Sequence, residues 1–395
     1  MADAVDKKIR VLVVDDSAFM CKVLQDLIHS DPALEVVGQA RDGREGVTLA
    51  DSLCPDVITM DINMPHVDGL QATEMIMSRH PRPIVIVSSE SREGAATTLR
   101  ALDLGAVDFV PKPSSGIDLD MRHVRDELTR KLKMAAKVRV VRTATRAKSP
   151  TSAAPAANSN ATSNVAKVTT MPLAASGGAS SAAAATGGVA ARGGSGGGKT
   201  PIVVVAASTG GPAAVMRVVC GLPKDLAAAV LLVLHMPGVF TKQFTVQLAE
   251  VSSLPVKEAE ANELARAGTV YVCPGSQHLR FSPSGRITLD PGPRIDGYRP
   301  CADVALETVA AYARTLATAV VLTGMGSDGA QGACAVRASG GHVIAQDEAT
   351  SVIFGMPGET IKSGAANEVL PLDEIAAAIS KRVARLARLV PAGVR

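Results

Sequence analysis

Residues from about 140 to 198 are the strongest constraint on what this chain can fold into. Ala, Ser, Thr, Gly and Asn dominate them without periodicity, and they end in Gly193-Gly194-Ser195-Gly196-Gly197-Gly198. Such a segment buries too little apolar surface to offset the entropy of ordering it. It reads as a flexible linker, 137–199, and the rest must fold as two pieces, 1–136 and 200–395.

Both pieces carry the same pattern. In the first, apolar runs at Ile9–Val14, Glu35–Ala40, Val57–Met60, Ile84–Val87 and Val107–Val110 alternate with helical stretches such as Ala18–Leu27 and Leu70–Met77. Five βα units predict a doubly wound parallel sheet. After Pro201 the runs recur at Ile202–Ala206, Ala229–Leu234, Thr269–Val272, Ala319–Thr323 and His342–Ala345. These predict a second α/β domain with a mainly parallel sheet, interrupted by a hairpin-like insert over Val270–Asp290 and closed by a helix over Ile375–Leu389. Aromatic residues are only 2% of the chain and Trp is absent. Ala, Val, Leu and Ile must fill the cores, as parallel sheets under helices require.

Several function classes are disfavoured. A formal net charge of +3 gives no case for nucleic acid or a membrane surface. The basic excess is local, since no acidic residue lies between Leu128 and Lys224. The six cysteines form no C-x-x-C pair and read as small buried hydrophobes. The opening MADAVDKKIR is too polar for a signal peptide, and no apolar run approaches the roughly 20 residues of a membrane helix. A cytoplasmic protein without membrane insertion is expected.

The first piece concentrates acids at strand ends. Its first run ends in Asp15-Asp16 and its third in Asp61. In a doubly wound sheet the C-terminal strand ends share one edge, where ligands bind. Three carboxylates there call for a hard divalent cation, and Mg²⁺ suits oxygen ligands with room for phosphate. Ser88-Ser89 and Lys112 end the fourth and fifth runs, a hydroxyl and an ammonium suited to phosphoryl oxygens. Helix capping is the plainer reading of any one of these acids, but not of five positions on the right strands.

The second piece places a serine, a histidine and an aspartate after three strand patterns. Ile202–Ala206 runs into Ala207-Ser208-Thr209-Gly210-Gly211-Pro212, Val230–Leu234 into His235-Met236-Pro237, and Val320–Thr323 into Gly324-Met325-Gly326-Ser327-Asp328-Gly329. Ser208 alone could be a helix N-cap, and Ala206-x-Ser208-x-Gly210 only nearly matches the G-x-S-x-G elbow. Three such residues on one edge can form nucleophile, base and orienter. The order Ser, His, Asp differs from that of α/β-hydrolases. Gly193-x₄-Gly198-Lys199-Thr200 fits a P-loop, but it follows low-complexity sequence and precedes a strand, so nucleotide binding is not expected. A dinucleotide site at the Ser208 turn would want G-x-G-x-x-G, which is missing, and a DNA-reading output would want a small basic helix-turn-helix.

These motifs carry two resemblances. V-V-D-D-S (13–17), M-D-I-N-M-P-H-V-D-G (60–69), V-S-S (87–89) and F-V-P-K-P (109–113) resemble the response-regulator receiver family. That implies Asp61 as phosphoacceptor from a histidine kinase, with Asp15, Asp16, Asp61 and the Asn63 carbonyl holding Mg²⁺. Ser88 and Lys112 would sense the phosphoryl group, and Phe109 would be the aromatic that changes packing. Pro111 stands where that family carries Thr. A-S-T-G-G-P (207–212), H-M-P (235–237), Y-V-C-P-G (271–275), L-T-G-M-G-S-D-G (322–329) and F-G-M-P (354–357) resemble the chemotaxis protein-glutamate methylesterase family (CheB). That implies Ser208 as nucleophile, His235 as general base and acid, and Asp328 as orienter. Met325 would lend an oxyanion N–H and Thr209 would support the histidine. Ala206 and Leu234 replace the family's usual Gly and Gln. The implied activity is phosphorylation-activated demethylation of glutamate esters, and deamidation of glutamines, on chemoreceptors, with no cofactor for the ester chemistry. The unphosphorylated receiver would cover the esterase cleft.

Overall fold

The computed structural model describes residues 7–89, 91–112, 118–138 and 199–389. The expected linker lies outside the described residues except at its margins, as does the glycine run of the P-loop pattern. Lys199 is described. Its Nζ donates to the Tyr312 carbonyl at 2.7 Å and lies 4.6 Å from that ring's centroid, and a strand follows it rather than a helix.

The N-terminal half runs β1 (Ile9–Val14), α1 (Ala18–His29), β2 (Leu34–Ala40), α2 (Gly43–Leu53), β3 (Val57–Asp61), α3 (Gly69–Arg79), β4 (Ile84–Ser88), α4 (Arg92–Asp103), β5 (Asp108–Pro111) and α5 (Asp118–Ala135). Its sheet has the order β2-β1-β3-β4-β5, every pair parallel. The order reverses at β1, so the ends of β1 and β3 form the crevice that such sheets offer to ligands. Every residue of β3 and β4 is buried, as helices on both faces demand. Ser17, Asp42, Asp68 and Ser91 start α1 to α4 by accepting a backbone N–H two or three residues into each helix.

The C-terminal half continues with β6 (Ile202–Ala207), α6 (Gly211–Cys220), β7 (Ala229–Leu234), α7 (Gly238–Val251), β8 (Val256–Glu258), β9 (Val270–Val272), β10 (His278–Phe281), β11 (Ile287–Asp290), α8 (Ala302–Ala313), β12 (Ala317–Val321), α9 (Ala330–Ala338), β13 (His342–Gln346), α10 (Met356–Lys362), β14 (Glu368–Leu370) and α11 (Leu372–Leu389). Seven strands form a parallel sheet in the order β14-β13-β12-β6-β7-β9-β8, with the antiparallel hairpin β10–β11 beside it. The insert is therefore smaller than the pattern suggested. Val270–Val272 is buried throughout and joins the main sheet, and only 278–290 forms the hairpin. The chain leaves β6 first toward β7 and later returns to β12 on its other side. That makes β6 the switch point, with β7 and β12 as neighbours.

The two halves belong to one compact unit and share a core. Phe109 of β5 stacks on Phe240 of α7, centroids 4.3 Å apart, and α4 packs on α7 and α6. No helix among the described residues is long and apolar enough to cross a membrane.

Candidate active site

The strand order brings Ser208, His235 and Asp328 to one edge. Ser208 follows β6 in a turn closed by the Gly211 N–H donating to the Ser208 carbonyl at 2.7 Å. Gly210 within it has φ 73°, a left-handed conformation that favours glycine. His235 follows β7, its N–H donating to the Ala207 carbonyl at 3.2 Å. Asp328 ends a loop after β12, whose Gly324 lies against the nucleophile. A Cβ there would sit 2.9 Å from Ser208 Cβ and 2.3 Å from Met356 Sδ.

His235 Nε2 and Asp328 Oδ2 are 2.7 Å apart. Asp328 is buried and accepts three further bonds from the start of α8. The N–H groups of Ala302 (2.7 Å) and Asp303 (2.9 Å) and the Cys301 thiol (3.1 Å) all point at its oxygens. Burial alone would raise its pKa, but the His235 bond and charge and the α8 N–H groups hold it down at about 2. It is thus a fixed carboxylate. With Nε2 committed to Asp328, His235 Nδ1 is the free nitrogen, buried and without a partner. Ser208 and His235 line one cavity of about 360 Å³ with Met236, Gly275, Arg294, Tyr298 and Arg299. No hydrogen bond joins Ser208 Oγ to His235, a common slackness in unliganded sites. The Met325 N–H donates to no acceptor among the described residues, so it is free for an oxyanion.

Thr209 does not reach His235. Its hydroxyl donates to Asp108 Oδ2, on β5 of the other half. Asp108 also accepts from Lys131 Nζ of α5 at 3.1 Å, and Lys131 pairs with Glu127 at 3.0 Å. Asp126, Glu127, Arg130 and Lys131 of α5 form a wall of the Ser208 cavity. Tyr298 stacks on His235 with centroids 4.2 Å apart, and Arg130 lies 5.9 Å from the tyrosine centroid. Sequence patterns missed Tyr298, Asp108 and the start of α8. Only the last left a signal, a proline at 300 followed by a helical stretch.

The acidic pocket forms where expected. Carboxylate oxygens of Asp15, Asp16 and Asp61 lie within 4.8 Å of one another. Lys112 Nζ bridges Asp15 (3.0 Å) and Asp61 (2.9 Å). Burial raises the Asp61 pKa, with Lys112 pulling it down and Asp15 pushing it up. Ser88 is buried, its hydroxyl donating to the Gly94 carbonyl at 3.3 Å, and Asn63 is exposed. Gly69 packs against the backbone that carries Asp61, for a Cβ there would lie 2.0 Å from the Asp61 carbonyl oxygen. An all-oxygen donor set, two of whose three carboxylates are buried, fits a hard divalent cation.

Known proteins match both halves. Residues 203–379 fit the family model for CheB methylesterase and residues 11–125 that for the response regulator receiver domain. A protein-glutamate methylesterase/protein-glutamine glutaminase of Symbiobacterium thermophilum is 45% identical over 97% of this chain and 99% of its own length. One of Pyrococcus horikoshii is 40% identical over 95% and 94%. The solved CheB methylesterase catalytic domain of Thermotoga maritima is 40% identical, covers 46% of this chain and 98% of that one, and gives a TM-score of 0.45.

Proposed function

Because the chain belongs to the CheB methylesterase family, with a receiver domain ahead of the esterase, we propose that Ser208, His235 and Asp328 are its catalytic triad. The enzyme is a protein-glutamate methylesterase and protein-glutamine glutaminase. The observation that carries the residue assignment is the Nε2–Asp328 pair, which leaves a partnerless Nδ1 in the cavity that holds Ser208. Ser208 Oγ attacks the γ-carbonyl of the ester as His235 Nδ1 takes its proton. The Met325 N–H and the start of α6 stabilise the oxyanion. The imidazolium returns the proton to the leaving oxygen, and methanol departs. Water, deprotonated by the same nitrogen, then releases the carboxylate. A glutamine substrate follows the same course with ammonia as leaving group.

The substrates are glutamate esters and glutamines on chemoreceptors, and the phosphodonor is a histidine kinase acting on Asp61 in the cytoplasm. Asp15, Asp16, Asp61 and the Asn63 carbonyl would hold Mg²⁺, which when bound offsets charge as the phosphoryl group arrives. Lys112 and Ser88 flank that group, and Phe109 couples the pocket to the stack on Phe240. The α5 wall and the Asp108–Thr209 bond support a reading in which the unphosphorylated receiver restrains the esterase.

The test is methanol release from methylated receptor membranes, with and without a small phosphodonor. Ser208→Ala should abolish turnover, by about 10⁶-fold in the logic of other serine triads. Retention of more than a few per cent would remove Ser208 from the role.

A further inference from the structure

An α-helix leaves its first N–H groups without partners, and a Ser, Thr, Asp or Asn at the N-cap usually accepts one of them. Helix α8 begins otherwise. Its N-cap is Cys301, whose side chain makes no capping bond. Asp328, from the loop after β12, accepts the first two N–H groups in its place. The Cys301 thiol points at the same carboxylate, 3.1 Å from Oδ1. It is buried, as is Asp328, and it is absent from the cavity that holds Ser208.

We propose that Cys301 is a positioning residue for catalysis, its S–H holding Asp328 so that Oδ2 stays aimed at His235 Nε2. The proposal rests on the triad assignment above. Two N–H bonds fix the carboxylate from the side of α8, but Oδ1 has only the Asp303 N–H and this thiol among the described residues. Without the thiol the carboxylate can rotate about its last torsion, and the imidazole it orients follows. The thiol can play this part because burial pushes it up to about 12, so it stays a donor and never a second anion against Asp328. The groups facing Asp328 are His235 from the end of β7, Cys301 and Asp303 from α8, and Tyr298 from the loop before it. Losing the donor therefore acts on turnover, through the aim of Oδ2 and of the imidazole it orients.

The experiment compares full-length wild type with Cys301→Ala, Cys301→Ser and Ser208→Ala in methanol release, at saturating and limiting substrate. Cys301→Ala is expected to lower kcat by about three- to tenfold with KM unchanged, a range set by one weak hydrogen bond to a charged acceptor. Cys301→Ser, which keeps a donor, should stay within about twofold of wild type. Where Cys301→Ala melts too early to assay, Cys301→Val fills the space without the donor and serves in its place. An unchanged kcat in the donorless variants, a loss that appears in KM instead, or an equal loss in Cys301→Ser overturns the positioning role. Activity in Ser208→Ala would instead overturn the triad assignment beneath it.

Discussion

Asp303 and Asp328 are neighbours at the start of α8, yet the structure shifts them in opposite directions. Asp328 accepts enough N–H and imidazole bonds to outweigh its burial. Asp303 has the Gly332 N–H at 2.6 Å, and burial together with the Asp328 charge raises it to about 6. An acid whose folded pKa lies above its unfolded value binds more protons when folded between the two. It stabilises the fold least above the higher one, so stability falls as pH rises from about 4 to about 6. Asp303→Asn keeps the acceptor for Gly332 and removes that penalty. Its melting temperature should exceed wild type at pH 8, and the gain should vanish near pH 4. A gain independent of pH would mean that Asp303 is not held protonated by this neighbourhood. Asp328 has the opposite sign, since its stabilising effect exists above about 4 and disappears as pH falls toward 2.

The elements were legible where side-chain pattern determines them and illegible where backbone does. The runs that became β1, β6 and β7 are buried along most or all of their length, so they read as parallel strands, and Asp15, Ser208 and His235 follow directly on their ends. Asp61, after β3, followed from the same rule. β8 and β14 have three residues each, too few for a periodicity, and they escaped notice. The cap that α8 gives Asp328 is made by N–H groups that every residue but proline has, so no residue type announces it. The loop after β12 lies between these cases. Its glycines were visible, but the reason for Gly324 is spatial, because Ser208 and Met356 leave no room for a Cβ. Gly324→Ala should push the loop away from the nucleophile and draw the Met325 N–H with it. A misplacement of about 1 Å costs on the order of 100-fold in turnover, and the overpacking about 1–3 kcal/mol in stability. Phosphorylation of Asp61, on another sheet, should proceed at the wild-type rate. A variant as active as wild type would show that the loop can yield without disturbing catalysis.

At the scale of the molecule, three contacts join the receiver half to the esterase half, and Asp108, Arg130, Tyr298 and Phe240 in them lie outside the motifs of either half. Asp108 takes the Thr209 hydroxyl, Arg130 covers Tyr298, and Phe109 stacks on Phe240. They tie β5 and α5 on one side to the Ser208 turn, the loop before α8 and α7 on the other. The Asp108–Thr209 bond is the most direct, for Thr209 is the residue after the nucleophile and both partners are buried. A buried hydrogen bond to a charged group contributes about 1.5–3 kcal/mol. If the bond forms only in the restrained state, its loss shifts the balance toward the open state by about 10- to 100-fold. Thr209→Val should raise the unphosphorylated esterase rate of the full chain, and so should Asp108→Ala, which also takes a partner from Lys131; the double variant should add little to Asp108→Ala, because the Thr209 bond is already gone there. A phosphodonor should then accelerate each variant less than wild type. Additive effects in this cycle would mean that the two residues act separately. A fall in the basal rate of both variants, with their melting temperatures unchanged, would mean that the bond supports the Ser208 turn rather than restraining it.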